Sequence, residues 1–240
     1  YYRDNTLLAL NEVGGDPGGP SGMAPEFHRF NEERARRWPD AQIATSTHDT
    51  KLGEDTRIRI GSLAAFPNEW ISSVRSWRSL NASFRRLTPK GPALDVDDEY
   101  RVYQALVGLW PATDCTGGGA ADPSMVERLL AYMQKSVREA QVHTSWMRVN
   151  EEYEALVDSF VRGVLTHDSA AGFRCSLRAL VQRILPLSTC HSISQLVLKC
   201  LIPGVPDIYQ GDESWALVVT DPDNRRPVDF DAHRAALARV

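Results

Sequence analysis

Apolar residues recur every three and four positions through most of the chain, the period of helices with one buried face. Phe27, Phe30, Ala35 and Trp38 sit among Glu and Arg residues and predict an amphipathic helix over 27–38, stopped by Pro39. Helical patterns follow over 54–63, with Ile58 on the apolar face, over 68–87 through Trp70, Val74 and Trp77, and over 97–109 through Tyr103, Leu106 and Val107. Asp122 reads as an N-cap and Pro123 as the first position of a long helix carrying Met125, Leu129, Leu130, Met133 and Val137. Further helices are predicted over 152–165, 173–185 and 192–201, the last ending at Pro203-Gly204, and residues 232–240 form another helical run.

The pattern changes in two places. Residues 42–47, Gln-Ile-Ala-Thr-Ser-Thr, are short, small and β-tolerant and predict a buried strand ending at His48-Asp49-Thr50; residues 205–211 predict a second strand bounded by Pro and Gly. Two strands among so many helices do not close a sheet and imply strands from elsewhere. Turn residues crowd residues 14–20 and 111–123, which read as loops. No Gly-Lys-Ser/Thr follows the first, so a tight loop is preferred there to a phosphate cradle.

Composition narrows the partners. With 42% hydrophobic and 24% charged residues the 240-residue chain falls in the globular range. The net charge of −4, with Lys and Arg dispersed, leaves no electrostatic footprint for nucleic acid or an anionic membrane. Cys115, Cys175, Cys190 and Cys200 include no C-x-x-C pair, so no metal centre or redox motif is expected, and the thiols read as those of a reduced, cytoplasmic protein. No leader or bilayer-spanning run is read from the sequence, and both ends read as mid-protein sequence.

Three segments carry candidate chemistry. In Ala44-Thr45-Ser46-Thr47-His48-Asp49-Thr50-Lys51 a His-Asp pair follows a short strand and precedes a helix, the way a (β/α)8 barrel presents catalytic side chains at its top face; a structural His-Asp pair is the alternative. Residues 203–213 deliver Tyr209, Gln210, Asp212 and Glu213, an aromatic, amide and acid set suited to sugars, or a rigid strand and turn. In Asp221-Pro222-Asp223-Asn224-Arg225-Arg226-Pro227-Val228-Asp229-Phe230, Arg225 or Arg226 suits a carboxylate or a ribbon of hydroxyls, against a plain salt-bridged loop.

Together these segments resemble the late-barrel signature of the α-amylase superfamily. Leu10-Asn11-Glu12-Val13-Gly14-Gly15-Asp16-Pro17, the residues 44–51, Asp98-Glu99-Tyr100, Arg138-Glu139-Ala140 with His143-Thr144-Ser145-Trp146, and Asp207 to Gly211 are similar to the maltooligosyltrehalose synthase family, nearly from end to end. The resemblance implies an α/β fold, an incomplete (β/α)8 TIM barrel with late strands only and a large helical insertion, the chain itself being predominantly α-helical. It divides the chain into 1–40, the end of an inserted segment; 41–66, a late barrel strand and helix; 67–190, the helical insertion; and 191–240, the last barrel helix, strand and loop.

It further implies that Asp49 is the transition-state-stabilising carboxylate, that His48, Tyr209, Gln210 and Arg225 bind sugar, and that Lys51 serves the reducing-end side. The implied reaction is intramolecular transglycosylation of a maltooligosaccharide, turning its reducing-end α-1,4 bond into an α,α-1,1 bond, with no cofactor or metal and in functional pairing with a maltooligosyltrehalose trehalohydrolase. The family's nucleophile and acid/base carboxylates would precede residue 1, so the chain alone is expected to be inactive. A superfamily hydrolase and a non-catalytic carbohydrate-binding or helical module are the alternatives. One departure is visible: the family continues after the lysine with Arg-Ser-Glu-Asp, where this chain has Leu52-Gly53-Glu54-Asp55.

Overall fold

The computed structural model describes residues 2–15, 24–88, 91–111 and 118–239. Residues 16–20 of the loop expected over 14–20 and residues 112–117 of that over 111–123, Cys115 included, lie outside the described residues. The order is α1 (Ala24–Arg37), β1 (Gln42–Ile43), α2 (Glu54–Gly61), α3 (Pro67–Leu80), α4 (Val96–Leu109), α5 (Pro123–Ala140), α6 (Glu151–Thr166), α7 (Ala171–Leu201), β2 (Val205–Pro206) and α8 (Phe230–Leu237), with short 3-10 turns between.

Local chemistry sets the helix ends. Asp95 accepts the Asp97 amide at the start of α4, and Asp97, Asp98 and Glu99 occupy its first turn, where acids meet the positive end of the helix dipole. Asp122 caps α5 as the sequence predicts, accepting from Ser124 N at 2.8 Å with Pro123 next. Asn150 caps α6 by accepting from Tyr153 N at 3.1 Å. Gln141 ends α5 in the left-handed region at φ 56°.

α4 is the centre of the molecule. Residues 101–109 are all buried, so this part of the helix carries no solvent face, and α2, α5 and α7 pack around α4. One hydrophobic cluster joins Val102, Leu106 and Leu109 of α4 to Ile60, Leu63, Leu129, Phe160, Leu177 and Ile184, and takes in Tyr2, Leu8, Leu52 and Val219. The core therefore spans the boundaries expected at residues 40, 66 and 190.

Its aromatic heart is Trp77, edge-on to Tyr103 and Phe173 at 5.4 Å each and to Trp70 at 5.7 Å. The indole N–H groups are satisfied, Trp77 donating to Ser176 Oγ at 2.9 Å and Trp70 to Tyr100 Oη at 2.7 Å. Asp98-Glu99-Tyr100 belongs to this interior: Glu99 accepts from Tyr103 Oη at 2.8 Å and lies 3.5 Å from Arg78 and Arg85.

The structure differs from the sequence expectation in four places. α1 forms, yet Phe27, Phe30 and Trp38 are exposed and only Asn31 is buried. In α2 the fully buried apolar residue is Ile60, while Ile58 is half-buried. The strands are two residues each and pair with one another in parallel, Gln42 with Val205 and Ile43 with Pro206, through Val205 N to Ala41 O at 3.0 Å and Asp207 N to Ile43 O at 2.8 Å. Gly204 makes that approach feasible: its φ is +136°, and a Cβ there would lie 2.6 Å from Ala41 O.

Finally, the helices expected over 173–185 and 192–201 are one 31-residue helix, α7, with Pro186 inside it. Proline cannot donate to the carbonyl four residues back and costs a helix interior about 3 kcal/mol. The half beyond it is anchored by side chains: Ser192 Oγ donates to Asp55 Oδ1 at 2.6 Å, and buried Lys199 donates to Thr45 Oγ1 at 2.7 Å and Glu54 Oε2 at 3.2 Å. Residues 168–201 are long and apolar enough to cross a membrane by length and composition, a feature the sequence reading did not anticipate. Phe173, Leu177, Val181 and Ile184 of the first half pack into the core, whereas Ile193, Leu196, Val197, Leu198 and Leu201 are exposed.

Candidate active site

Beyond β1 the chain makes a turn that carries His48 and Asp49. Both side chains face outward, 61% and 73% exposed, with His48 Nε2 3.3 Å from Asp49 Oδ2. The turn itself is closely held. Thr47 Oγ1 accepts from Asp49 N at 3.2 Å, and Thr50 Oγ1 donates to Thr47 O at 2.8 Å. From the far end of the chain, Asn224 Nδ2 donates to Thr47 O at 3.2 Å and His48 O at 3.1 Å. Tyr209 Oη donates to Asn224 O at 3.2 Å. The three segments singled out in the sequence thus meet: residues 44–51, 203–213 and 221–227 are joined through Asn224.

The following turn is clamped by Glu12, whose carboxylate accepts from Lys51 N at 3.0 Å and Leu52 N at 3.4 Å and lies 3.6 Å from Arg57 Nη2. Glu12 lies within the Leu10–Pro17 string, where nothing in the sequence marks it for this role. Its position one loop before an unpredictable fold contact hides that role from spacing alone. The Lys51 ammonium reaches 5.9 Å from the Tyr2 ring centroid.

Beneath the turn lies a buried charged layer. Ser46 Oγ accepts from Glu54 N at 2.9 Å, Thr45 Oγ1 donates to Glu54, and Lys199 sits against both Thr45 and Glu54. Glu54 and Asp55, in the first turn of α2, fasten it to α7 and to the backbone at Ala216, whose N–H donates to Asp55 Oδ2 at 2.9 Å. Burial pushes the Asp55 carboxyl above the usual range. Burial, with the neighbouring Glu54 and Asp55 charges, pushes Asp212 up to about 7, against opposing contributions from Ser46 and Lys199.

The Leu52-Gly53 departure has a packing explanation. Leu52 is buried and bridges to Val219, and Gly53 N donates to Val218 O at 2.9 Å. A Cβ on Gly53 would stand 2.6 Å from Val218 Cγ2 and 3.0 Å from Ala216 O, so serine there requires this segment to shift.

The remaining predicted residues are distributed unevenly. Tyr209 and Gln210 line an open cleft of about 370 Å³ with Trp215, Asn224, Arg226 and His233. His48, Asp49 and Lys51 do not line it. Arg225 is half-exposed and pairs with Asp221 at 2.7 Å, the plain salt-bridged loop that the sequence left open, and its neighbour Arg226 faces the cleft. Arg128 is the residue missed here: its guanidinium grips Asp223 at 2.7 and 2.9 Å and so ties this loop to α5. No His, Cys, Asp or Glu cluster among the described residues is arranged to hold a metal ion.

The chain is 37% identical over 237 residues, 99% of its length, to proteins of two Mycobacterium tuberculosis strains assigned as maltooligosyl trehalose synthase. It is homologous to a segment of the maltooligosyl trehalose synthases. It spans 28% of the length of those curated relatives. Solved structures agree: a maltooligosyl trehalose synthase crystal structure is 36% identical with TM-score 0.83 over 99% of this chain and 30% of its own, and a glycosyltrehalose synthase, DSM5389, is 36% identical with TM-score 0.82 over the whole chain and 30% of its own. No family model matches the chain.

Proposed function

We propose that this chain forms one wall of the active site of a maltooligosyl trehalose synthase, in which the reducing-end α-1,4 bond of a maltooligosaccharide is rearranged to an α,α-1,1 bond. The observation that carries the proposal is the similarity along 99% of the chain, with the quoted segments meeting at Asn224. Asp49 is the carboxylate that stabilises charge on the reacting sugar, and His48 hydrogen-bonds the sugar beside it. Lys51, with three donors on a flexible stem, serves the released glucose while it turns; Tyr209, Gln210 and Arg225 complete the sugar contacts.

Retention requires two inversions, hence a nucleophile and an acid/base carboxyl about 5 Å apart. In this reading both are supplied by the part of the synthase that the chain does not span, within a (β/α)8 barrel to which β1 and β2 contribute late strands and 67–190 a helical insertion. The chain by itself is then inactive. Its reaction is an isomerisation needing no cofactor, in the cytoplasm, with a trehalohydrolase consuming the product.

The test is to incubate maltopentaose with the chain alone and with the chain joined to the remaining synthase sequence. Loss of reducing ends without glucose release by the joined protein only is expected. Shorter reducing sugars would make it a hydrolase, and no turnover by the joined protein would refute the reading.

A further inference from the structure

The turn that carries His48, Asp49 and Lys51 is held by side chains from three separate segments, and each takes a different part of it. Asn224 donates to the carbonyls of Thr47 and His48. Arg57 of α2 brackets the turn, its Nη2 donating to Thr45 O at 2.7 Å and to Leu52 O at 3.2 Å. Glu12 takes the Lys51 end, accepting from Lys51 N at 3.0 Å and Leu52 N at 3.4 Å with Arg57 Nη2 3.6 Å away. The backbone from which the Lys51 side chain projects is therefore set by one carboxylate.

Glu12 is itself fixed before it reaches the turn. Buried Leu8 donates its N–H to Gln104 Oε1 at 2.9 Å, which seats the 3-10 turn Leu8–Leu10 on α4. Glu12 N then donates to Leu10 O at 3.1 Å, Gly15 N to Glu12 O at 2.8 Å, and Val13 N to Glu12 Oε1 at 2.8 Å. The Glu12 side chain is 15% exposed, so its charge-assisted bonds form where they are stronger than in water. From this anchored backbone the Lys51 ammonium reaches 5.9 Å from the Tyr2 ring centroid.

We propose that Glu12 is a positioning residue for Lys51: by fixing the backbone behind the ammonium it keeps the released glucose in place, and so sets the balance between rearrangement and hydrolysis. This rests on the synthase reading above and adds to it the residue that governs product specificity. If the glucose escapes, water takes the glycosyl group in its place. Maltopentaose then yields free glucose and maltotetraose instead of non-reducing product. A displacement of about 1 Å in a group that orients a reactant is enough to change such a balance.

The test uses the chain joined to the remaining synthase sequence, incubated with maltopentaose, and reads the ratio of free glucose to non-reducing product. Compared are Glu12→Gln, Lys51→Ala, the two combined, and Leu129→Ala, which loosens the buried core on α5. Glutamine keeps the size and one acceptor oxygen of Glu12 and removes the charge. Melting curves establish that each variant is folded at the assay temperature. Expected are a rise of about fivefold in the ratio for Glu12→Gln, a larger rise for Lys51→Ala, no further rise when the two are combined, and no change in Leu129→Ala. An unchanged ratio in Glu12→Gln beside a raised one in Lys51→Ala overturns the positioning role and leaves the synthase reading intact. So does an additive rise in the combined variant, or an equal rise in Leu129→Ala, since either assigns the effect to general loosening. An unchanged ratio in Lys51→Ala takes Lys51 off the glucose side and overturns this proposal with it. Absence of non-reducing product from the unaltered joined protein refutes the synthase reading itself, and the proposal falls with that.

Discussion

Asn224 donates to two carbonyls of the His48–Asp49 turn and so couples loops that are 176 residues apart in the chain. Asn224→Ala removes both bonds, and a loss of about 1–2 kcal/mol in urea unfolding is expected. Glu12 does comparable work with a charged acceptor shared by Lys51 N and Leu52 N, so Glu12→Ala should cost about 1.5–3 kcal/mol by the same measurement. Asp212 predicts a pH dependence. Its folded pKa, about 7, lies above the unfolded carboxylate value, so the folded state holds the proton more tightly. Its stabilising contribution is complete below the unfolded pKa of about 4 and is lost as pH rises through 7. Asp212→Asn should therefore gain on the unaltered chain in melting temperature between pH 5 and pH 8; an unchanged difference across that range would contradict the assignment. The strings around residues 48–51 and 209 were legible as a family resemblance, which is where the roles proposed for His48, Asp49, Lys51 and Tyr209 come from. Glu12, Arg128 and Asn224 were not, because each acts on backbone or side chains that only the fold brings near.

At the scale of elements, helix patterning was read well where a cap and an apolar period agree, as at Asp122-Pro123 and through α4. It failed at Pro186, where a local breaker was overruled by contacts 137 and 145 residues distant, Ser192 with Asp55 and Lys199 with Glu54. Pro186 is exposed, so Pro186→Ala restores a helix bond without emptying the core. A gain of about 1–3 kcal/mol in stability by chemical denaturation is expected. The strands were overextended because the small β-tolerant residues after Ile43 form the turn that carries His48 and Asp49. Trp77, which joins α3 to α4 and α7, marks the opposite extreme: Trp77→Ala should cost about 3–5 kcal/mol.

Over the whole molecule, the burial pattern divides the surface. Phe27 and Phe30 of α1, Trp38 just after it, the second half of α7, Val205 and Ile208 leave large apolar side chains in water, while residues 101–109 of α4 are all buried. The chain spans 28% of the length of its curated relatives. The site is divided in the same way, with Asp49 and His48 turned outward and their support buried. In the chain joined to the remaining synthase sequence, Asp49→Asn should lower the turnover of maltopentaose to non-reducing product by about 10²–10³-fold, the scale of losing one group that stabilises transition-state charge, with the melting temperature unchanged. Turnover within a fewfold of the unaltered protein would remove Asp49 from the chemistry and the central claim with it.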